Sequence, residues 1–228
     1  MYQTFFFHSA LKLLHQPSPN LSPKKINLCK YAETQSKIAA IMAELGFDSA
    51  VIGEGKTLLS ETRKAYDLIK TEDDETSAAY ADFAGKKERL EDTFDMHRKK
   101  AKVVFRKDSL TKDKLAISGP KSRTYIKWLE AAKKYYSVLS EDTAILGKLA
   151  RLKISADDIT AANTMIDELN DARADYLREI GESQDATKAK NAAFVRIDDW
   201  MNEFYAIAEI GLEDNPQLLE ALGKTVRS

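Results

Sequence analysis

Shifting this sequence by 107 positions lays it over itself in helical register, and that self-match constrains the fold more than any motif in the chain. Leu45 falls on Leu152, Phe47 on Ile154 and Ile52 on Ile159, then Glu61 on Glu168, Ala65 on Ala172 and Glu72 on Glu179. Arg89 meets Arg196, Leu90 meets Ile197, Asp92 meets Asp199, Ala101 meets Ala208 and Leu115 meets Leu222. Identity is low, but the register runs without a gap from about residue 36 to residue 118. The expectation is a tandem duplication of a helical-hairpin unit. Residues 31–118 form the first repeat, residues 138–228 the second, and residues 119–137 a linking helix after the Gly119-Pro120 break.

Each copy predicts a short helix, two long ones and a short closing one. The spans are about 33–45, 48–71, 74–107 and 110–117, then 141–152, 155–181, 184–213 and 216–223. Apolar residues recur at three- and four-residue steps, through Tyr80, Phe83, Leu90, Phe94, Ala101 and Val104 in one copy. Phe194, Ile197, Met201, Phe204 and Ala208 are the counterpart in the other. Stripes of this width face one neighbouring layer and leave the other side wet. Ser155 before Asp157 and Asp158 reads as a helix start, Gly46 and Gly181 as stops, and Asn215-Pro216 as the opening of the last helix. Only 9 Gly and 5 Pro against 43% hydrophobic and 31% charged residues fit an all-α protein. The expected architecture is an elongated up-and-down helical bundle.

Residues 1–30 stand apart. Phe5, Phe6 and Phe7 begin an apolar patch that His8, Lys12 and His15 interrupt, and a proline-punctuated stretch from Pro17 to Pro23 follows. This is a poor signal peptide, and the segment is expected to be a disordered leader. The single cysteine, Cys29, excludes an internal disulfide and fits a reducing, cytoplasmic compartment. No run approaches the roughly 18 apolar residues of a membrane span.

Near-neutral net charge conceals a polarised chain. Residues 86–134 carry 16 basic and 7 acidic side chains, whereas residues 135–228 carry 10 and 18. Equivalent positions reverse sign: Lys102 corresponds to Glu209, Arg106 to Glu213 and Lys107 to Asp214. Solvated faces that drifted apart are the plain explanation. Complementarity is the sharper one, with the basic end of one copy meeting the acidic end of the other, within a molecule or between molecules. Such head-to-tail contacts build rings or filaments. A third possibility is phosphate binding, on nucleic acid or an anionic membrane, by Arg98, Lys99, Lys100, Lys102, Arg106, Lys107, Lys121 and Arg123.

The motifs that suggest chemistry lack their partners. Ala50 to Thr57 matches a loose phosphate-loop pattern, but the preceding segment has helical periodicity and no later strand ends in a magnesium-binding aspartate. A dinuclear carboxylate bundle needs Glu-x-x-His pairs, and the one histidine within the repeats, His97, has Phe94 three residues before it. His97 sits on the core stripe opposite its duplicate Phe204, which predicts a partly buried, hydrogen-bonded histidine. A serine or Cys29 nucleophile lacks a histidine base nearby in the repeats. The pairs Glu91-Asp92 and Asp198-Asp199 diverge by about 100° around a helix and read as surface. Trp128, Trp200 and Tyr205 read as core aromatics. No catalytic, cofactor-binding or metal-binding residues are therefore assigned.

The tail from Glu213 to Gly223, ending Val226-Arg227-Ser228, resembles the close of a group of uncharacterised bacterial all-helical proteins. The run from Gln184 through Asp198, Asp199, Trp200 and Met201 is similar to the same group. The resemblance covers roughly residues 150–228. It implies an all-helical fold and a bacterial cytoplasmic setting, with no activity attached. The expected function is that of a non-enzymatic interaction or structural protein, self-associating through oppositely charged ends. Its candidate surface is Arg98, Lys99, Lys102, Arg106, Lys107, Lys121 and Arg123 together with Glu209, Glu213 and Asp214. The alternative is an anion-binding module built on the basic segment 98–123.

Overall fold

The computed structural model describes residues 36–222; the leader expected over residues 1–30, Cys29 and the terminal Val226-Arg227-Ser228 lie outside the described residues. The protein is all-α, with seven helices and no strand among the described residues. They are α1 (Ser36–Glu44), α2 (Ser49–Val104), α3 (Ser109–Lys114), α4 (Tyr125–Glu141), α5 (Thr143–Ala150), α6 (Ala156–Gly211) and α7 (Pro216–Ala221). No helix among them is long and apolar enough to cross a membrane.

The punctuation between helices follows the local chemistry. Gly46 ends α1 at φ 92°, a left-handed conformation that costs glycine little. The Asp48 carboxylate then accepts from the amides of Ala50 and Val51 at 2.9 and 3.1 Å, starting α2. At α6 the cap is reciprocal: Ser155 Oγ accepts from the Asp158 amide at 3.2 Å, and the Asp158 carboxylate accepts from the Ser155 amide at 2.8 Å. Asp108 caps α3 by accepting from the Thr111 amide at 2.9 Å. Pro216 opens α7, where its missing amide hydrogen costs nothing.

Two expected breaks do not occur. The long helices run on through residues 71–74 and 181–184, so each expected pair is one 56-residue helix. The run Thr71-Glu72-Asp73-Asp74-Glu75 holds no glycine or proline. Gly181 keeps helical dihedrals, since positive φ is found only at Gly46, Ala116 and Lys153 among the described residues. A single interior glycine costs a helix about 1 kcal/mol and does not end it.

The bounds of the helices recur at the spacing of the self-match. Adding 107 to the limits of α2 and α3 gives the limits of α6 and α7, and α1 starts 107 residues before α5. The left-handed residues Gly46 and Lys153 are a corresponding pair, as are the capping residues Asp48 and Ser155.

The chain forms two compact units, and neither coincides with one half of the sequence. One unit gathers the described residues up to Glu72 with those from Ser183 onward; the other is Asp73–Glu182. The first is built from α1, the start of α2, the end of α6 and α7. Its core is Ile38, Met42, Phe47 and Ile52 against Ile197, Trp200, Met201, Phe204, Ala208, Leu212 and Leu219. The second contains the end of α2, α3, α4, α5 and the start of α6. There Leu90, Phe94, Ala101 and Phe105 pack on Trp128, Tyr135, Tyr136 and Leu139, with Leu149, Ile159 and Ile166 closing the other side. Phe94, Tyr135 and Tyr136 form a fully buried aromatic triad with ring centroids 5.1–6.1 Å apart. Edge-on pairs of this kind add about 0.5–1.5 kcal/mol each beyond the area they bury.

Candidate functional site

Four of the charged candidates are carried by two turns of the same construction. After α2 the chain turns through Phe105, Arg106 and Lys107; the Phe105 amide donates to the Ala101 carbonyl at 2.9 Å and the Asp108 amide to the Phe105 carbonyl at 2.9 Å. After α6 it turns through Leu212, Glu213 and Asp214, with the Leu212 amide donating to the Ala208 carbonyl at 3.0 Å and the Asn215 amide to the Leu212 carbonyl at 2.8 Å. Phe105 and Leu212 are buried and pin each turn to its own core. The next two residues are thereby turned outward, so Arg106, Lys107, Glu213 and Asp214 are all exposed. The local structure is shared and the charge is reversed. The basic turn belongs to the unit Asp73–Glu182, and the acidic turn, with exposed Glu209, to the other unit.

Not all of the basic candidates present their charge to solvent in the same way. The Arg98 guanidinium and the Lys102 ammonium both donate to the Gly119 carbonyl, the latter at 3.0 Å. Lys121 donates to Glu91 at 2.7 Å and to Asp95 at 2.6 Å. These three side chains fasten the connection between α3 and α4 to the flank of α2. Burial lowers the pKa of Lys102, and the nearby cations Arg98 and Lys112 lower it further. Lys121 is displaced the other way: burial opposes its charge, but Asp95 and Glu91 together outweigh that and raise its pKa. The bond from Lys121, followed by that from Lys87, holds the Glu91 carboxyl below the ordinary glutamate value. Lys99, Arg106, Lys107 and Arg123 are the candidates left exposed.

An open cleft of about 600 Å³ lies in the same unit, lined by Tyr80, Phe83, Lys87, Glu88, Tyr125 and Arg173 among others. Phe83 stacks on Tyr176 at 6.0 Å with the rings 10° apart, and the Arg173 guanidinium sits 4.9 Å over the Tyr125 ring. Lys87 and Glu91 bond each other at 2.8 Å. Burial raises the pKa of the Tyr125 phenol, while Arg173 opposes the rise. Helical periodicity places Tyr80 and Phe83 on a packing stripe, whereas Arg173 and Tyr176 belong to none of the stripes read from the sequence. Their i, i+3 spacing on α6 is visible in the sequence, but the helix they would face is not.

The remaining motifs resolve as packing. Ala50 to Thr57 forms the first turns of α2, with its amides committed to the helix and to the Asp48 cap. His97 is buried, with Nδ1 3.1 Å from the Tyr136 hydroxyl, while the Tyr135 hydroxyl donates to the His97 carbonyl at 3.2 Å. Burial lowers the pKa of His97; the Asp158 carboxylate opposes this and Lys100 reinforces it. Trp128 and Trp200 are buried, and Tyr205 is half-buried with its hydroxyl donating to the Leu222 carbonyl at 3.3 Å.

No known protein family, curated protein or solved structure matches this chain.

Proposed function

We propose that this chain is a non-enzymatic interaction or structural protein of the bacterial cytoplasm, and that it self-associates by docking Arg106 and Lys107 of one molecule against Glu213 and Asp214 of another. The observation that carries the proposal is the pair of matched turns. Both follow a 56-residue helix, both are anchored by a buried apolar residue, and they expose opposite charges at equivalent positions. A duplicated helical unit whose copies acquired opposite signs supplies two complementary surfaces in one chain. Contact between them is heterologous, so copies join into rings or open chains. The cytoplasmic setting rests on the single cysteine and on the resemblance of residues 150–228.

Light scattering coupled to size exclusion tests this at about 50 mM and about 500 mM salt, since the screening length falls from roughly 14 Å to roughly 4 Å between them. The expected result is an assembly at low salt that dissociates at high salt. The double variant Arg106→Glu/Lys107→Glu and the double variant Glu213→Lys/Asp214→Lys should each be monomeric alone. Mixed, they should associate, because a reversed pair and a native pair become available. A native chain that is monomeric at both salts would overturn the proposal.

The alternative, anion binding by segment 98–123, has fewer cations to work with than the sequence suggests. Arg98 and Lys102 are bonded to Gly119 and Lys121 is bonded to two carboxylates. A steep fall with salt in binding to DNA or anionic vesicles would favour it over self-association.

A further inference from the structure

The charged turns each border an exposed apolar residue, and these residues also correspond at the 107-residue spacing. Val103, in the last turn of α2, is 56% exposed, and Ile210, in the last turn of α6, is 66% exposed. Around Val103 stand Lys99, Arg106 and Lys107; around Ile210 stand Glu203, Glu213 and Asp214, all of them exposed. Lys99, Arg106 and Lys107 lie four, three and four residues from Val103, and Glu203, Glu213 and Asp214 lie seven, three and four from Ile210, spacings that keep side chains on one helical side. Further apolar surface continues the basic side: Met96 is one heptad before Val103 on the same helix and 49% exposed. Ala206, four residues before Ile210, continues the acidic side.

An isoleucine or valine left this open forfeits the stabilisation its burial would bring. Two such residues at equivalent positions, one ringed by cations and the other by carboxylates, form a complementary pair. In protein interfaces the energy concentrates in a central desolvated contact, and a polar rim excludes water from it. The rim charges then set which surfaces meet, since like rims repel.

We infer that the occupant of the Val103 surface is the Ile210 surface of a second copy of this chain, the two apolar side chains meeting at the centre of a rim of opposite charges. This rests on the self-association proposed above and adds to it an apolar anchor. The charges alone would give a contact that salt abolishes. With the anchor, salt weakens the contact by reducing the rim attraction, and removal of either apolar side chain weakens it at every salt concentration.

Sedimentation velocity on the full chain at about 150 mM salt separates these contributions. Val103→Ser and Ile210→Ser should each weaken self-association by about tenfold or more, the loss expected when one buried aliphatic side chain is removed. Leu177→Ser and Val195→Ser alter side chains that are 51% and 59% exposed and belong to neither of the two surfaces, and should leave association unchanged. In a Cys29→Ser background, Val103→Cys mixed with Ile210→Cys should give a disulfide-linked pair on mild oxidation, and Val103→Cys mixed with Leu177→Cys should not. If both serine variants assemble as the native chain does and the assembly still dissolves in salt, the apolar anchor is wrong and the charged turns stand. If the native chain is monomeric throughout, both fall.

Discussion

The indole of Trp200 lies against the backbone of Gly55, so near that a Cβ at residue 55 would sit 2.4 Å from the ring. Two residues earlier, a Cβ at Gly53 would meet nothing within 4 Å. The two glycines that give this segment its likeness to a phosphate loop therefore have different physical roles. Gly55→Ala should destabilise the protein by about 1–3 kcal/mol, because a buried ring must shift. Gly53→Ala should stabilise it by about 0.8–1 kcal/mol through helix propensity. Urea denaturation of both variants checks this, and equal effects would contradict the close approach.

Lys153 holds φ at 56° where its counterpart, Gly46, holds 92°. A residue with a Cβ is held in the left-handed region at a cost of roughly 1–2 kcal/mol. Lys153→Gly should therefore raise stability by about 1 kcal/mol, and Gly46→Ala should lower it by a similar amount. A Lys153→Gly variant no more stable than the native chain would mean that the strain is relieved by contacts elsewhere. Ala116, at φ 55°, should respond to glycine in the same direction.

His97 makes the unit Asp73–Glu182 sensitive to mild acid. Its folded pKa lies below the ordinary histidine value of 6.5 through burial, only partly offset by Asp158. The unfolded chain thus binds a proton before the folded one does, so the stabilisation is complete above pH 6.5 and is lost as pH falls from there to the folded pKa. His97→Gln should flatten stability as pH falls below 6.5 while keeping a polar partner for Tyr136. Asp108, Asp142 and Asp158 have lowered pKa values through hydrogen bonds at helix starts or to lysine, so their contributions fade at more acidic pH, below the ordinary aspartate value. A denaturation series that shows the same slope in His97→Gln would assign the sensitivity to another group.

Asp108 and Asn215 occupy matching cap positions and should respond unequally to substitution. The Asp108 carboxylate accepts from the amide and the hydroxyl of Thr111 at 2.9 and 2.7 Å. The Asn215 side chain caps no amide and accepts instead from Lys37 at 2.9 Å. Asp108→Ala should cost about 1 kcal/mol, the usual value of a side-chain cap, and Asn215→Ala markedly less. Thermal melts of the two variants would decide it.

The sequence carries the local determinants of this structure well. The cap at Ser155, the helix opening at Pro216, the stop at Gly46 and the burial of His97 follow from local chemistry within a few residues. The helix breaks placed near residues 72 and 182 fail for a related reason: acidic clusters and one glycine resemble punctuation, but none of them blocks the helical hydrogen bond, as proline does. Pairing between helices is harder to read. Periodicity shows that Phe94 and Phe204 face inward, but not that Phe94 would meet Tyr135 while Phe204 would meet Phe47. The charged surface was legible as a sign reversal between Arg106 and Glu213, and the turns that expose it only from their backbone hydrogen bonds. The fastening of Arg98, Lys102 and Lys121 depends on where the Gly119 carbonyl lies, and no spacing rule reports that.

Because each core is assembled from both halves of the sequence, the order of synthesis and the order of completion run in opposite directions. Phe47 and Ile52 emerge from a ribosome early and then wait for Trp200, Phe204 and Leu212, about 150 residues later. The other core needs nothing beyond Leu169 and can close first. The unit that starts the chain is thus the last to be finished, and its opening segment spends most of translation with its apolar face uncovered. A chain severed near Gly119 would leave each fragment with incomplete halves of two cores. The two fragments, co-expressed, would have to complete each other or fail together.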